Sequence, residues 1–138
     1  MDMKRKKLCA IVVPVYKEII DSYEELSFRQ CLKIFHKYQI YLVTYELLDL
    51  SIYEQLAKEY RVHVKKVFFA KSYFSGIDGY NRLLKSKLFY KPFFSYKYIL
   101  IYQLDAFVFR DEIDYWCGKG YDYIISRSEE RRVGKECR

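Results

Sequence analysis

The chain has 138 residues, a length that corresponds to one domain and excludes a protein built from several. It is 51% apolar and 20% aromatic with five glycines and two prolines, which excludes a disordered chain, a collagen-like repeat and a flexible linker. The formal net charge is +7, of which residues 1–7 carry +3 and residues 126–138 carry +2. Only +2 remains on residues 8–125, where no single predicted element gathers the positive charge.

Alternating stretches of the sequence predict strands and helices in turn. Continuous apolar runs rich in β-branched or aromatic residues predict strands at 8–15, 39–45, 62–70 and 98–104. Apolar residues at helical spacing predict helices at 22–38, at 51–60 and from about residue 78, with Pro92 stopping the next turn. The fourth strand is the most hydrophobic, and we expect it at the centre of the sheet.

Two short motifs predict where helices begin. Ser22 is followed three residues later by Glu25, and Ser51 is followed in the same way by Glu54. Each pair matches the capping box, in which the two side chains satisfy each other's backbone N–H groups. We therefore expect helices to start at these serines.

The regular alternation predicts an α/β fold with a mostly parallel sheet and helices on both faces. Ligands of such sheets bind beyond the carboxyl ends of the strands. This rule selects three places as candidate sites: the loop at 14–19, the segment at 71–81, and Asp105.

Asp105 ends an apolar strand, where an uncompensated carboxylate would be costly to bury. It is placed to hold Mg²⁺ or Mn²⁺ against a diphosphate, since such metals use one or two carboxylates together with substrate phosphates. The spacing equally allows Asp105 to cap the next turn or to pair with Arg110.

The other two places offer groups that suit a nucleotide. The loop at 14–18 can present backbone amides, the aromatic face of Tyr16 and the cation of Lys17, or it can be an ordinary connection. Residues 79–81 open a helix whose N-terminal amides favour anions, or they simply cap it.

Neither metal clusters nor a leader segment stand out. The four cysteines are widely spaced, which predicts reduced thiols rather than a zinc site or a disulfide framework. The apolar run after the basic residues 1–7 contains Pro14 and lacks a small-residue cleavage site, so a first strand is favoured over a signal peptide. No run reaches the length of a membrane span, and we expect a soluble or at most peripheral protein.

Several strings together resemble a known family. The strings AIVVPVYKE (10–18), SYFSGIDGYNRLL (72–84), YILIYQLDAFVFRDEIDYWC (98–117) and GYDYI (120–124) are similar to a bacterial domain-of-unknown-function (DUF) family regarded as glycosyltransferase-like. The resemblance covers nearly all of residues 8–124. It implies a GT-A-type nucleotide-sugar fold, a UDP-type donor, and a glycan or lipid-linked acceptor of the bacterial envelope. It also implies a cytoplasmic location at the inner face of the membrane, and no nucleic acid partner.

The resemblance also implies a donor site. It places the base near 14–17 and sets Asp105 at the first metal-binding position, for Mn²⁺ or Mg²⁺. The second acidic residue of the family's DxD motif is replaced here by Phe107, so a single-ligand or metal-free site stays open. With the residues selected from the strand ends, the expected donor-binding set is Pro14, Val15, Tyr16, Lys17, Tyr80, Asn81, Arg82, Gln103 and Asp105.

The last thirteen residues depart from the family's pattern. Family members continue into an acceptor-binding half, whereas SRSEERRVGKECR resembles a translated adaptor. We therefore expect a basic extension at 1–7, the donor-binding part of a hexosyltransferase at 8–125, a non-native tail at 126–138, and no activity in this fragment. The alternatives are a nucleotide-binding or interaction module without catalysis and, from the aromatic and basic residues, a single-stranded nucleic-acid binder.

Overall fold

The computed structural model describes residues 8–104 with their side chains and the backbone of residues 123–126 and 131–134. Its sheet contains six strands: β1 (Cys9–Pro14), β2 (Gln39–Thr44), β3 (Val64–Phe68), β4 (Tyr98–Tyr102), β5 (Tyr123–Ser126) and β6 (Arg131–Gly134). They are ordered β3-β2-β1-β4-β5-β6 across the sheet. The first five are parallel to their neighbours, and β6 runs antiparallel to β5.

Helices connect the parallel strands in the described part of the chain. They are α1 (Ser22–Ile34), α2 (Ser51–Glu59), α3 (Ile77–Lys85) and the single turn α4 (Lys87–Tyr90), with 3₁₀ turns at Lys71–Phe74 and Lys91–Phe93. The predicted α/β class with a mostly parallel sheet is confirmed. Strand β4 lies beside β1 in the middle of the sheet, as its hydrophobicity predicts.

Strand β1 is fully buried because its two faces pack against different helices. Cys9, Ile11 and Val13 belong to a core that includes the apolar faces of α1 and α2. Ala10 and Val12 point the other way into a second core, formed with α3, α4 and the aromatic turn before β4. This two-sided burial explains why the strand reads as an unbroken apolar run rather than an alternating one.

The first helix begins at Ser22 as predicted, but its N-cap is the residue before the predicted one. Asp21 is the N-cap: its Oδ1 accepts the Glu24 N–H at 2.8 Å, and Glu24 Oε1 accepts the Asp21 N–H at 3.2 Å. The predicted box of Ser22 and Glu25 is therefore wrong, because Ser22 already lies within the helix. The helix also ends at Ile34 rather than at residue 38.

The predicted capping box of α2 is wrong as well. The N-cap is Leu50, which has no side-chain acceptor for the first amides. Asp49 instead accepts hydrogen bonds from the Ser51 hydroxyl and, at 2.9 Å, from the Ser51 N–H, and these two bonds, the hydroxyl's above all, lower the pKa of the Asp49 carboxyl. A carboxylate two residues before the helix thus accepts the Ser51 N–H, the role that the predicted capping box assigns to the Glu54 side chain.

Candidate functional site

A pocket of about 340 Å³ lies beyond the carboxyl ends of β1 and β4. The chain leaves β1 toward β2 on one side, whereas β4 lies on the other side of β1. In open α/β sheets this divergence of successive connections opens a crevice where ligands bind. Six of the predicted donor-binding residues line the pocket: Pro14, Val15, Tyr16, Lys17, Tyr80 and Gln103.

The loop after β1 is fixed to its neighbours by two hydrogen bonds. The Val15 N–H donates to the Val43 carbonyl at 2.9 Å, which extends the pairing of β1 with β2 by one residue. The Tyr53 hydroxyl, on a side chain that is 1% exposed, donates to the Lys17 carbonyl at 2.7 Å. Burial raises the pKa of Tyr53, so this hydroxyl keeps its proton and stays a donor. The loop is therefore held in place while the Tyr16 ring stays 57% exposed.

One ion pair lies in the pocket. Lys17 Nζ is 3.2 Å from both carboxylate oxygens of Glu24, and the hydrogen bond between them raises the pKa of Lys17. The Lys17 side chain is 44% exposed and that of Glu24 is 12% exposed. Because Glu24 also accepts the Asp21 N–H at the start of α1, it is fixed in position. The cation is thus held beside the pocket while much of its surface still meets solvent.

A neutral polar pair lies on the other side of the pocket. Gln103, one residue after β4, donates from Nε2 to the Tyr80 hydroxyl at 3.1 Å. Both side chains are half-buried. A hydroxyl and an amide together can donate to and accept from the hydroxyl groups of a sugar.

A close backbone approach places α3 at the pocket. A Cβ at Gly79 would collide with the carbonyl oxygen of Ser72, so only glycine lets the helix lie this near the turn at 71–74. The N-cap of α3 is Gly76, which offers no side-chain acceptor to the first-turn amides. Gly76 and Ile77 consequently line the pocket with the start of a nine-residue helix.

Two predicted donor-binding residues lie away from the pocket lining. Asn81 and Arg82 are exposed on α3, and the Arg82 guanidinium lies 5.5 Å from the ring centroid of Tyr73. Asp105, predicted for both donor and metal binding, lies outside the described residues. Their roles stay predictions.

Sequence reasoning missed half of the pocket lining, namely Glu24, Tyr53, Phe74, Gly76, Ile77 and Leu104. Three of these fall in the segment 71–81, which the strand-end rule had selected, and Leu104 follows a predicted residue. The sequence could have pointed to Glu24, since Asp21 and Glu24 also match a capping box, one residue before the box of Ser22 and Glu25. No sequence pattern points to Tyr53, because its hydroxyl contacts a carbonyl 36 positions away.

No group of three or more His, Cys, Asp or Glu side chains that could hold a metal occurs within residues 8–104. The Mn²⁺ or Mg²⁺ site predicted at Asp105 lies outside the described residues and stays a prediction.

The sheet order, with a pocket at its switch point, is that of the Rossmann-like class of α/β proteins. The chain belongs to the family described as Protein of unknown function (DUF5672), whose model matches residues 63–136. No curated protein and no solved structure matches it. The matched range enters the segment 126–138, and the predicted division into 1–7, 8–125 and 126–138 stays a prediction.

Across the part of the chain that the structure describes, no helix combines the length and apolar character needed to cross a membrane.

Proposed function

We propose that this protein is a glycosyltransferase-like enzyme that transfers a hexose-type sugar from a UDP-type nucleotide-sugar to a glycan or lipid-linked acceptor. The observation that supports the proposal is the pocket at the switch point of the sheet, with Tyr16, Lys17, Tyr80 and Gln103 on its walls. Its volume falls within the range of about 300 to 1,000 Å³ that small-molecule pockets occupy.

Each group has a task that its geometry allows. The exposed Tyr16 ring offers a face on which a nucleotide base can stack. Lys17 can exchange part of its contact with Glu24 for a phosphate oxygen, because it is already held at the pocket. Tyr80 and Gln103 can bind ribose or sugar hydroxyls. A divalent ion, if bound at Asp105, would neutralise diphosphate charge.

The transfer forms a bond between the acceptor oxygen and the anomeric carbon of the donor. The bond from that carbon to the diphosphate breaks, and UDP leaves with the electron pair. A general base takes the acceptor proton if the reaction inverts the anomeric centre. Glu24 is not assigned to this role, since its oxygens already accept from Lys17 and from the Asp21 N–H.

The test is isothermal titration calorimetry of UDP with Mn²⁺ on the full chain and on Tyr16→Ala. Loss of base stacking should weaken binding about tenfold or more, since each stacked base contributes about 1 to 3 kcal/mol. Tyr23→Ala is the matched control, because Tyr23 is 49% exposed but does not line the pocket. Absence of UDP binding by the wild type, or equal losses in the two variants, would refute the proposed site.

A second variant probes the positioning of the loop. Tyr53→Phe removes the hydroxyl that holds the Lys17 carbonyl but keeps the ring, which packs edge-on against Phe28 at 5.5 Å between centroids. We expect weaker UDP binding than in the wild type. Tyr90→Phe is the control: it removes a similar bond, to the Leu84 carbonyl at 2.6 Å, away from the pocket, and should leave UDP affinity unchanged.

A nucleotide-binding module without catalysis is the second candidate. This candidate is favoured because Glu24 is the one carboxylate among the described lining residues, and it already accepts hydrogen bonds from Lys17 and from the Asp21 N–H. Incubation of a native-length version of the protein with UDP-glucose or UDP-N-acetylglucosamine separates the two, because residues 1–138 alone are expected to be inactive. Release of UDP supports the enzyme, whereas UDP binding without release from either compound supports the module.

A further inference from the structure

Strand β3 forms one edge of the sheet, and every second residue of its backbone has hydrogen-bonding groups without a partner among residues 8–104. The Phe69 N–H donates to the Thr44 carbonyl at 2.8 Å, and the His63 carbonyl accepts from Gln39 at 3.1 Å, so odd-numbered residues direct their backbone groups toward β2. Since both backbone groups of a residue in a parallel strand point to the same side, the even-numbered residues direct theirs outward. The outward residues are Val64, Lys66 and Phe68.

The side chains along this edge are basic, with apolar surface between them. Residues 58–71 contain five lysines and arginines and one acidic residue, Glu59, for a net +4. Glu59 is bonded to Arg29 at 3.0 Å, whereas Glu54 is bonded to Lys66 at 2.8 Å and offsets the charge of that lysine. Lys65 has no ion-pair partner within residues 8–104, and Phe68 is 45% exposed. This positive charge lies on no single element, but spans the end of α2, β3 and the following turn.

We propose that the outer edge of β3 binds an extended acidic segment of another protein as an additional strand. Main-chain hydrogen bonds to Val64, Lys66 and Phe68 would hold the segment, and its carboxylates would lie near Lys65 and the flanking basic residues. This mode of recognition takes its affinity from the backbone and its selectivity from alternate side chains.

The pattern of outward groups favours a peptide over the other occupants. A peptide edge alternates donors and acceptors as β3 does, whereas the sugar-phosphate backbone of DNA offers acceptors alone. A second copy of this chain pairing through β3 would bring Lys65 and Lys66 opposite the same lysines, and like charges directly across a strand pair are destabilising. The surface is separate from the pocket, so the proposal does not depend on UDP binding.

The test measures the binding of a fluorescent seven-residue peptide of alternating glutamate and valine to the full chain. Lys66→Pro removes one outward N–H, and proline is tolerated where the N–H faces away from the neighbouring strand. Lys66→Ala is the matched control, since both variants lose the ion pair with Glu54 but only proline loses the donor. We expect Lys66→Ala to bind the peptide and Lys66→Pro to bind about tenfold or more weakly.

Two further peptides keep the result independent of how Lys66→Pro folds. With the wild-type protein, a peptide N-methylated at the amides on one edge should bind weakly, and a peptide with lysine in place of glutamate should not bind. Equal binding of all three peptides would overturn the proposal. So would tighter binding of single-stranded oligodeoxythymidine with no effect of Lys66→Pro, or a dimer in solution that Lys66→Pro dissociates.

Discussion

Thr44 is a buried hydroxyl without a hydrogen-bond partner among residues 8–104. It ends β2 with 0% exposure, and its Oγ1 makes no hydrogen bond to the part of the chain that the structure describes. A buried polar group left unsatisfied costs about 1 to 3 kcal/mol. Thr44→Val keeps the branched shape and removes the hydroxyl, so we expect the free energy of unfolding to rise by about 1 kcal/mol, measured by urea denaturation.

Ser27 provides the contrast for this measurement. It is equally buried, but its Oγ lies 2.9 Å from the Tyr102 hydroxyl, which also donates to the Ser27 carbonyl at 3.2 Å. Ser27→Ala should therefore lower the free energy of unfolding by about 1 kcal/mol. A loss of stability in Thr44→Val would mean that its hydroxyl has a partner.

At the residue scale, the sequence predicts those site residues whose place at the pocket follows from their position along a strand. Tyr16 and Lys17 follow the end of one predicted strand, Gln103 lies next to the end of another, and the parallel sheet brings them to one pocket. Tyr53 and Glu24 depend on how α1 and α2 pack over the sheet. Periodicity shows that Tyr53 is on the apolar face but not which loop its hydroxyl reaches, since that depends on contacts distant in sequence.

At the scale of single elements, the start of α1 depends on one carboxylate. Asp21 accepts the Glu24 N–H at the N-cap. Asp21→Ala should lower the free energy of unfolding by about 1 kcal/mol, the usual effect of losing an N-cap. It should also loosen Glu24, because the reciprocal bond from the Asp21 N–H depends on the cap geometry.

Ser22→Ala is the control for this change. The sequence predicts Ser22 as the cap, whereas in the structure it is the first helical residue and exposed. We expect no measurable loss of stability in thermal melts of Ser22→Ala. A larger loss in Ser22→Ala than in Asp21→Ala would show that the serine, and not Asp21, is the N-cap.

The two motifs at this helix show why element boundaries were less predictable than elements. Asp21 with Glu24 and Ser22 with Glu25 fit the same pattern one residue apart, and both caps are chemically suitable. The choice is made by the path of the chain from β1, where Glu24 must also reach Lys17. A motif of four residues does not contain such a tertiary constraint.

At the scale of the whole molecule, the sequence predicts the parallel sheet because four apolar runs alternate with helical segments. The central place of β4 follows from its hydrophobicity, since a strand between two neighbours and two helical layers meets little water. The charge counted for each predicted element is a poor guide to the charged surfaces of the folded protein. Counting by predicted element divides residues 58–71 into three parts and hides the basic edge of β3 that the fold assembles.

Two buried thiols allow the cooperativity of the fold to be measured. Cys9 on β1 and Cys31 on α1 are each 0% exposed and belong to the same core. Burial raises the pKa of the Cys31 thiol, which suppresses the reactive thiolate in the folded state. In a Cys117→Ser, Cys137→Ser background, we expect neither thiol to react with Ellman's reagent until the protein unfolds.

Because one core joins both thiols, they should become reactive over the same range of urea concentration, as a two-state transition requires. Trapping with iodoacetamide at each urea concentration, followed by peptide mass spectrometry, gives the midpoint for each cysteine separately. Fully unfolded protein, in which both thiols react, provides the reference. A lower midpoint for Cys31 than for Cys9 would contradict the prediction and would show that α1 detaches while the sheet stays folded.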